Sequence, residues 1–419
     1  MCEMAEVLVL GAGMVGVAAA LELQTRGHAV VLVDRRGPGE ETSFGNAGFV
    51  QGEAVEPYAM PRDLRTLAAY AVGRTNDLVY DPSALPRMAP VLWRYFRNSA
   101  PARHRQISAV YAQLVQRVLA DHAPLIAAAG QEPHIRRTGY LQIWRDARDA
   151  EAGATEAERL IRDYDVTVAA LDGAAVAAAE PALKRPVAGG LLWGDCWTSD
   201  DPGALTAAYA ELFTRRGGTV LRGEAASLAR KGAGWQVETE AGPVDAAQAV
   251  IALGPWSPDL LARLGWRVAM LWKRGYHGHF AAPVRLQRPL MDADAGVVLS
   301  PMRRGLRIAT GAALVARDAP SDPGQLLRGA CAASELLEIG TRIAEPQWFG
   351  HRPCLPDMLP LVGAVPGEPG LWVDFGHGHQ GFTLGPTTAQ LLADAMAGAR
   401  TELLAALAPA ARPEVMRAA

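Results

Sequence analysis

Residues Gly11-Ala12-Gly13-Met14-Val15-Gly16 constrain this chain more than any other stretch of it. The apolar run Val7 to Leu10 leads into them, and a helix-period stretch from Val17 to Thr25 follows. Gly27 ends that stretch, and Ala29 to Val33 reads as a second buried strand closing on Asp34. Strand, glycine turn, helix, strand and acid, in that order, describe a nucleotide-binding βαβ unit. Gly11 permits the tight turn, Gly13 lets backbone come up to a pyrophosphate, and Gly16 lets the helix pack on the strand. The helix start at Met14 and Val15 offers free N–H groups and a positive dipole end to phosphates. Asp34, followed by Arg35 and Arg36, stands where a carboxylate can accept hydrogen bonds from ribose hydroxyls. An ordinary glycine turn can mimic the bare motif. Here Ala20, Leu23, Gly27, Val30 and Asp34 supply the small, apolar, turn, apolar and acidic residues that the whole unit needs.

The fingerprint alone does not separate FAD from NAD, and two later segments bear on the choice. Thr42-Ser43-Phe44-Gly45-Asn46-Ala47-Gly48 crowds hydroxyl, amide and glycine residues into one loop. On composition alone that is a polar surface turn. Near the C-terminus, Leu371 to Phe375 reads as a strand and Gly376-His377-Gly378-His379-Gln380-Gly381 as a glycine loop. Phe382 and Thr383 then open a long apolar helix running to about Ala397. A second helix N-terminus, aimed at the N1–C2=O edge of a flavin, would stabilise its anionic reduced ring. An enzyme using only NAD has no need of it.

The fingerprint, the T-S-F-G-N-A-G loop, Arg352-Pro353…Pro356-Asp357…Pro360-Leu361-Val362-Gly363 and G-H-G-H-Q-G-F-T-L-G together resemble the D-amino-acid oxidase-like FAD-dependent oxidoreductase superfamily. Within it, the bacterial D-amino-acid dehydrogenases are the nearest match. The resemblance implies an α/β fold: a Rossmann-like FAD-binding domain plus an α+β substrate domain with a mixed or antiparallel sheet. It implies FAD extended across the first domain with its ring at the domain boundary. It places Thr42, Ser43, Asn46, Ala47 and Gly48 on the cofactor, with Ala225 as a backbone contact near adenine. Gly254 would close over the pyrophosphate, and Gly376, His377, Gly378, His379, Gln380, Gly381, Phe382 and Thr383 would form the flavin loop. No His follows Asp34 in that loop, so the FAD is expected to be non-covalent.

Arg352 corresponds to the arginine that superfamily amino-acid oxidases set against the substrate carboxylate, a task suited to a planar, bidentate guanidinium. From the residues alone, a surface salt bridge to Asp357 is the plainer reading. Tyr276 and His277 are candidates to line the substrate pocket or to sit in its core, and Tyr58 is a weaker one. The resemblance implies oxidative deamination of a D-amino acid to a 2-oxo acid and ammonia, by hydride transfer from Cα to flavin N5. Electrons would pass to a quinone or another acceptor. The alternative substrates are glycine, sarcosine or secondary amines of the D-hydroxyproline type.

With 419 residues, half of them hydrophobic, two domains are expected. Residues 1–50, 186–265 and 345–412 are assigned to a discontinuous FAD-binding domain, and 51–185 and 266–344 to the substrate domain. Strands are expected at Gly139–Trp144, Gly275–Phe280, Val297–Ser300 and Leu306–Thr310, and helices at Pro86–Asn98, Ile107–Ala129 and Gln325–Arg342. Asp201 before Pro202 reads as a helix N-cap rather than a catalytic acid. A net charge of −3 gives no case for nucleic acid. Cys2, Cys196, Cys331 and Cys354 have no metal or C-x-x-C spacing, and His377 and His379 lack partners, so no metal site is expected. No leader and no membrane span are evident, which points to a cytoplasmic protein. Met88, Leu92, Trp93, Tyr95 and Phe96, set among Arg94, Arg97, Arg103 and Arg105, read first as a core-facing helix. A peripheral membrane-contact surface is the alternative.

Overall fold

The computed structural model describes residues 5–73 and 75–419. Cys2 lies outside the described residues. The strand Ala5–Leu10 pairs in parallel with Val30–Asp34 on one side and with Gly242–Ile251 on the other. Val7, Leu8, Val9 and Leu10 are wholly buried, because a central parallel strand is covered on both faces. Alternation sends Val7 and Val9 into one core and Leu8 and Leu10 into another. The sheet continues through Thr219–Lys231 on the Val30–Asp34 side and through Leu371–Phe375 and Leu361–Ala364 on the other. Gly234–Thr239 bridges the outer halves of Thr219–Lys231 and Gly242–Ile251 as an antiparallel meander.

The helix Met14–Thr25 lies against Gly381–Met396, the long helix near the other end of the chain. Gly385 makes this crossing close, since a Cβ there would stand 3.1 Å from Cγ of Met14. The two glycine-to-helix junctions are therefore neighbours in space although 370 residues apart in sequence. Asp201 caps Pro202–Arg215, its carboxylate accepting from the Ala204 N–H at 3.0 Å.

A ten-stranded sheet forms the second body, with only two parallel pairings. Its centre is Leu271–Phe280, flanked by Trp348–Cys354 along one edge and by Gly305–Thr310 and Ala312–Leu314 along the other. The expected strands are all present as Tyr140–Trp144, Leu271–Phe280, Val297–Met302 and Gly305–Thr310. Two more strands join this sheet from segments far away in sequence. Gly189–Trp193 and Trp348–Cys354 fall within the segments assigned to the cofactor domain, yet both pair into this sheet.

Two helices also differ from expectation. The Ile107–Ala129 stretch is two helices, Pro101–Val115 and Val118–Ala128, broken at Gln116 and Arg117, where Arg117 turns out to Gln390 at 2.6 Å. The helix expected to reach Arg342 ends at Leu336, because residues 340–343 run beside the central strand. Ala281 N–H donates to the Thr341 carbonyl there, and Gly340 leaves no room for a side chain against Ala281. The amphipathic stripe divides: Tyr95 is buried, with Met88 and Leu92 packed beside it, while Trp93 is 61% exposed. Among the described residues no helix is long and apolar enough to cross a membrane.

Candidate active site

One cavity of about 1200 Å³ joins the two bodies' chemistry. Drug-sized pockets run from roughly 300 to 1000 Å³, so this space has room for an extended dinucleotide and a small substrate besides. Gly11, Gly13, Met14, Val15, Asp34 and Arg35 line one end. Thr42, Ser43, Asn46 and Ala47 come next, with Ala225 and Gly254 on the wall. Gly376, His377, Gly378, His379, Gly381 and Phe382 lie towards the substrate sheet.

The glycines of the fingerprint do what their positions require. Gly11 has φ +108°, and a Cβ on Gly16 would stand 1.8 Å from the Gly11 carbonyl oxygen. Asp34 accepts from the N–H groups of Ala12 at 2.6 Å and Arg36 at 2.9 Å, which ties the glycine turn to the strand tip. Ser43 Oγ accepts from the Met14 N–H at 2.9 Å, so the hydroxyl loop is fastened to the helix start. Thr42 lines the cavity, and its hydroxyl is buried without a partner. The donor set, the glycine-lined backbone and the volume all suit FAD.

Five residues named for the cofactor do not line the cavity: Gly16, Arg36, Gly48, Gln380 and Thr383. Each supports those that do. Gly48 (φ +86°) lets the loop pass 2.2 Å from Ser199 O where a Cβ would be. Thr383 Oγ1 donates to the Phe49 carbonyl at 3.1 Å, and Gln380 Nε2 donates to Gln51 Oε1 at 3.0 Å. Arg36 reaches out to Glu41 at 3.1 Å.

At the substrate end, Arg352 is partly buried and faces the cavity. It donates to the carbonyls of Gly311 at 2.7 Å and Thr310 at 2.9 Å, which fixes the guanidinium plane and leaves three of its five N–H groups free. Among the described residues it makes no ion pair. Asp357 is turned away and holds Arg412 in a buried bidentate pair at 2.6 and 2.7 Å, so the Arg352–Asp357 salt bridge does not form. Burial draws the Arg352 pKa below its ordinary value.

Tyr276 lines the cavity, but its hydroxyl is engaged away from it, and His277 is not on the cavity wall. The Tyr276 hydroxyl is taken by Arg274 and by the Asp322 N–H at 3.1 Å, within the core under the sheet. His277 stacks behind Trp348 with ring centroids 4.5 Å apart, and neither ring nitrogen has a partner. Burial, with Arg307 and His279 nearby, pushes the His277 imidazole down to about 2. Strand alternation instead turns Lys273 and Gly275 to the wall beside Arg352. Tyr58 lines the cavity and lies on the His379 ring at 4.7 Å; its 62% free surface opens into that space. Burial, aided by the charges of Arg352 and Lys273, holds the His379 imidazole at about 3, hence neutral.

Residue types alone gave no hint of two further groups. Glu53, 3% exposed, accepts from Gln51 Nε2 at 2.7 Å just behind the wall, while its second oxygen has no partner. Burial raises its pKa to about 8. Arg307 is buried beside the hydroxyl loop and donates to the Phe44 and Asn46 carbonyls, pinning that loop to the substrate sheet. Its Nε donates to His279 Nε2 at 3.1 Å, while His279 Nδ1 faces Glu345 at 2.9 Å. His277, His279 and Glu345 are thus close enough to share an ion. However, the guanidinium beside them opposes a cation, and His279 already spends both nitrogens.

Residues 6–395 match the family described as FAD dependent oxidoreductase. The chain is similar to a D-amino acid dehydrogenase of Chromohalobacter salexigens, 32% identical over 94% of this chain and 96% of that one. A D-amino-acid oxidase of Bradyrhizobium diazoefficiens is 29% identical over 96% of this chain and 97% of that one. Among solved structures, glycine oxidase from Geobacillus kaustophilus superposes with a TM-score of 0.74 at 20% identity, covering 97% of this chain and 98% of that one. Iminodiacetate oxidase from Chelativorans sp. BNC1 gives 0.68 at 22% identity, covering 95% and 96%. At those identities the structures show a shared fold. With the glycine cradle, the hydroxyl loop and the family match in agreement, the chain belongs to the FAD-dependent oxidoreductases and is an oxidoreductase with FAD as its cofactor.

Proposed function

We propose that this enzyme deaminates a D-amino acid, giving a 2-oxo acid and ammonia. The observation that carries this reading is Arg352: a guanidinium held by two backbone carbonyls, free of any carboxylate among the described residues, on the wall of the cavity that the cofactor fingerprint opens into. A buried guanidinium without a counter-ion is a site for an anion. Bound FAD supplies the electron-pair acceptor. Arg352 clamps the α-carboxylate and so fixes which way the Cα–H points. Neutral His379 and the rings of Tyr58 and Tyr140 wall the space beside it and exclude water. The substrate must present a neutral amine; the resulting imino acid is hydrolysed by water without help from the protein. We read the electron acceptor as a quinone or another respiratory carrier, in line with the relatives named dehydrogenases.

The same proposal divides the chain between a cofactor domain and a substrate domain much as the sequence does. Gly189–Trp193 and Trp348–Cys354 move to the substrate side, following their sheet.

The test is anaerobic mixing of the yellow protein with D-, L- and N-alkyl amino acids. D-amino acids should bleach the flavin band, and Arg352→Ala should raise KM by roughly 10²-fold, the scale of losing charge-assisted hydrogen bonds. Unchanged kinetics in that variant would remove Arg352 from the site. Bleaching by N-methylglycine or glycine alone would move the substrate to the glycine-oxidase kind.

A further inference from the structure

Arg352 does not face the cavity alone. Lys273 is its register partner on the adjacent antiparallel strand, so the two side chains leave the same face of the sheet about 5 Å apart at their bases. Both line the cavity. The Lys273 ammonium sits 4.3 Å over the Tyr95 ring and donates to the Tyr95 hydroxyl at 3.1 Å. That hydroxyl donates onward to the Tyr58 carbonyl. This holds the ammonium in place without neutralising it.

Most of the acids that line the cavity have partners elsewhere. Glu41 pairs with Arg35 and Arg36, Asp259 with Arg317, and Asp77 accepts from Tyr70. Asp34 and Glu224 accept backbone N–H groups, while Asp374 is wholly buried beside His377 with neither carboxylate oxygen hydrogen-bonded. Among the described residues neither Lys273 nor Arg352 is in an ion pair. Two like charges on one poorly hydrated wall repel each other, and one bound carboxylate leaves a net positive charge behind. A ligand with two carboxylates cancels both.

From this pairing we infer that the substrate is an amino dicarboxylic acid, with Arg352 on the carboxylate next to the reacting carbon and Lys273 on the second. This rests on the proposed amino-acid oxidation and adds the substrate class. The second carboxylate belongs either to the side chain, as in D-aspartate and D-glutamate, or to a substituent on nitrogen, as in iminodiacetate; Lys273 serves both in the same way.

The experiment compares each dicarboxylate with its neutral counterpart on the FAD-loaded enzyme: D-glutamate with D-glutamine, D-aspartate with D-asparagine, iminodiacetate with N-methylglycine. At least one pair should show a tenfold or greater preference in kcat/KM for the dicarboxylate, and which pair does so separates the two sources. Lys273→Met should cut that ratio at least tenfold, and Lys273→Arg should restore most of it. Binding gives an independent readout: glutarate, which has no amine to oxidise, should perturb the flavin spectrum at a tenfold or lower concentration than butyrate. Neutral substrates used as well as their dicarboxylate partners, or glutarate and butyrate bound alike, would overturn the inference while leaving amino-acid oxidation standing. A ratio unmoved in Lys273→Met would do the same. If no amino acid bleaches the flavin, the underlying reading fails and takes this one with it. Should Lys273→Met not fold, the wild-type ratios and the glutarate titration decide.

Discussion

Gly275 lies under the guanidinium of Arg352: a Cβ built on it would stand 2.8 Å from Nη2 and 3.0 Å from Cζ. The neighbouring strand therefore needs a residue without a side chain for Arg352 to lie flat against Thr310 and Gly311. Gly275→Ala should push the guanidinium off its two carbonyls and raise KM for carboxylate substrates by about tenfold, as for a misplaced charge-assisted contact. Retained flavin should fall far less. Steady-state kinetics beside the flavin-to-protein absorbance ratio check both halves.

Arg307 holds the hydroxyl loop from the side of the substrate sheet, through the carbonyls of Phe44 and Asn46. It is 3% exposed, and burial draws its pKa down to about 10. Arg307→Met fills similar space but leaves both carbonyls unsatisfied, at a cost of about 1–3 kcal/mol each. The expected outcome is a protein that folds with a lower Tm and loses FAD on gel filtration. A variant that keeps full flavin through the column would show that the loop holds without this tie.

Glu53 is held protonated at neutral pH, its pKa raised by burial to about 8. Unfolded, it ionises near 4.5. Between those values the folded state binds a proton that the unfolded state lacks, so this group's contribution to stability is lost as pH rises from about 4.5 towards 8. Glu53→Gln keeps the shape and removes the titration. Its melting temperature should exceed that of wild type at pH 8 and approach it at pH 5; parallel curves at all pH values would contradict the assignment.

His277 gives the opposite dependence. Its folded pKa of about 2 lies below the unfolded 6.5, so its neutral burial favours the folded state above pH 6.5 and is lost progressively below that. Both ring nitrogens are also buried without partners. His277→Phe keeps the stack on Trp348 and removes both liabilities. It should raise the Tm at pH 6 and flatten the acid limb between about pH 6.5 and 4, as thermal melts across pH would record.

The cofactor half was legible because each of its features is local. Gly11, Gly13, Gly16 and Asp34 sit at fixed spacing in a single βαβ unit, and strand–glycine–helix grammar at 371–385 reads the same way. Pairings distant in sequence were not legible. That Gly189–Trp193 and Trp348–Cys354 join the substrate sheet follows from register with strands far away, which periodicity does not encode. Tyr276 reaches the cavity wall, as its chemistry suggested, but its hydroxyl is spent on Arg274 and Asp322, and His277 is stacked behind Trp348. The same alternation could have singled out Lys273 and Gly275, two apart on one strand face, had that strand's orientation been known. Glu53 carried no signal: only its burial, visible in three dimensions, distinguishes it from a surface acid.

The crossing of Met14–Thr25 with Gly381–Met396 joins two helices that lie far apart along the chain. A ribosome must therefore have released the chain through Met396 before the glycine cradle can close. Until then the first βαβ unit waits with its turn half-built and one face uncovered. Capture of the yellow cofactor therefore waits on both helices. A chain cut before Gly381 would lack one side of that cradle.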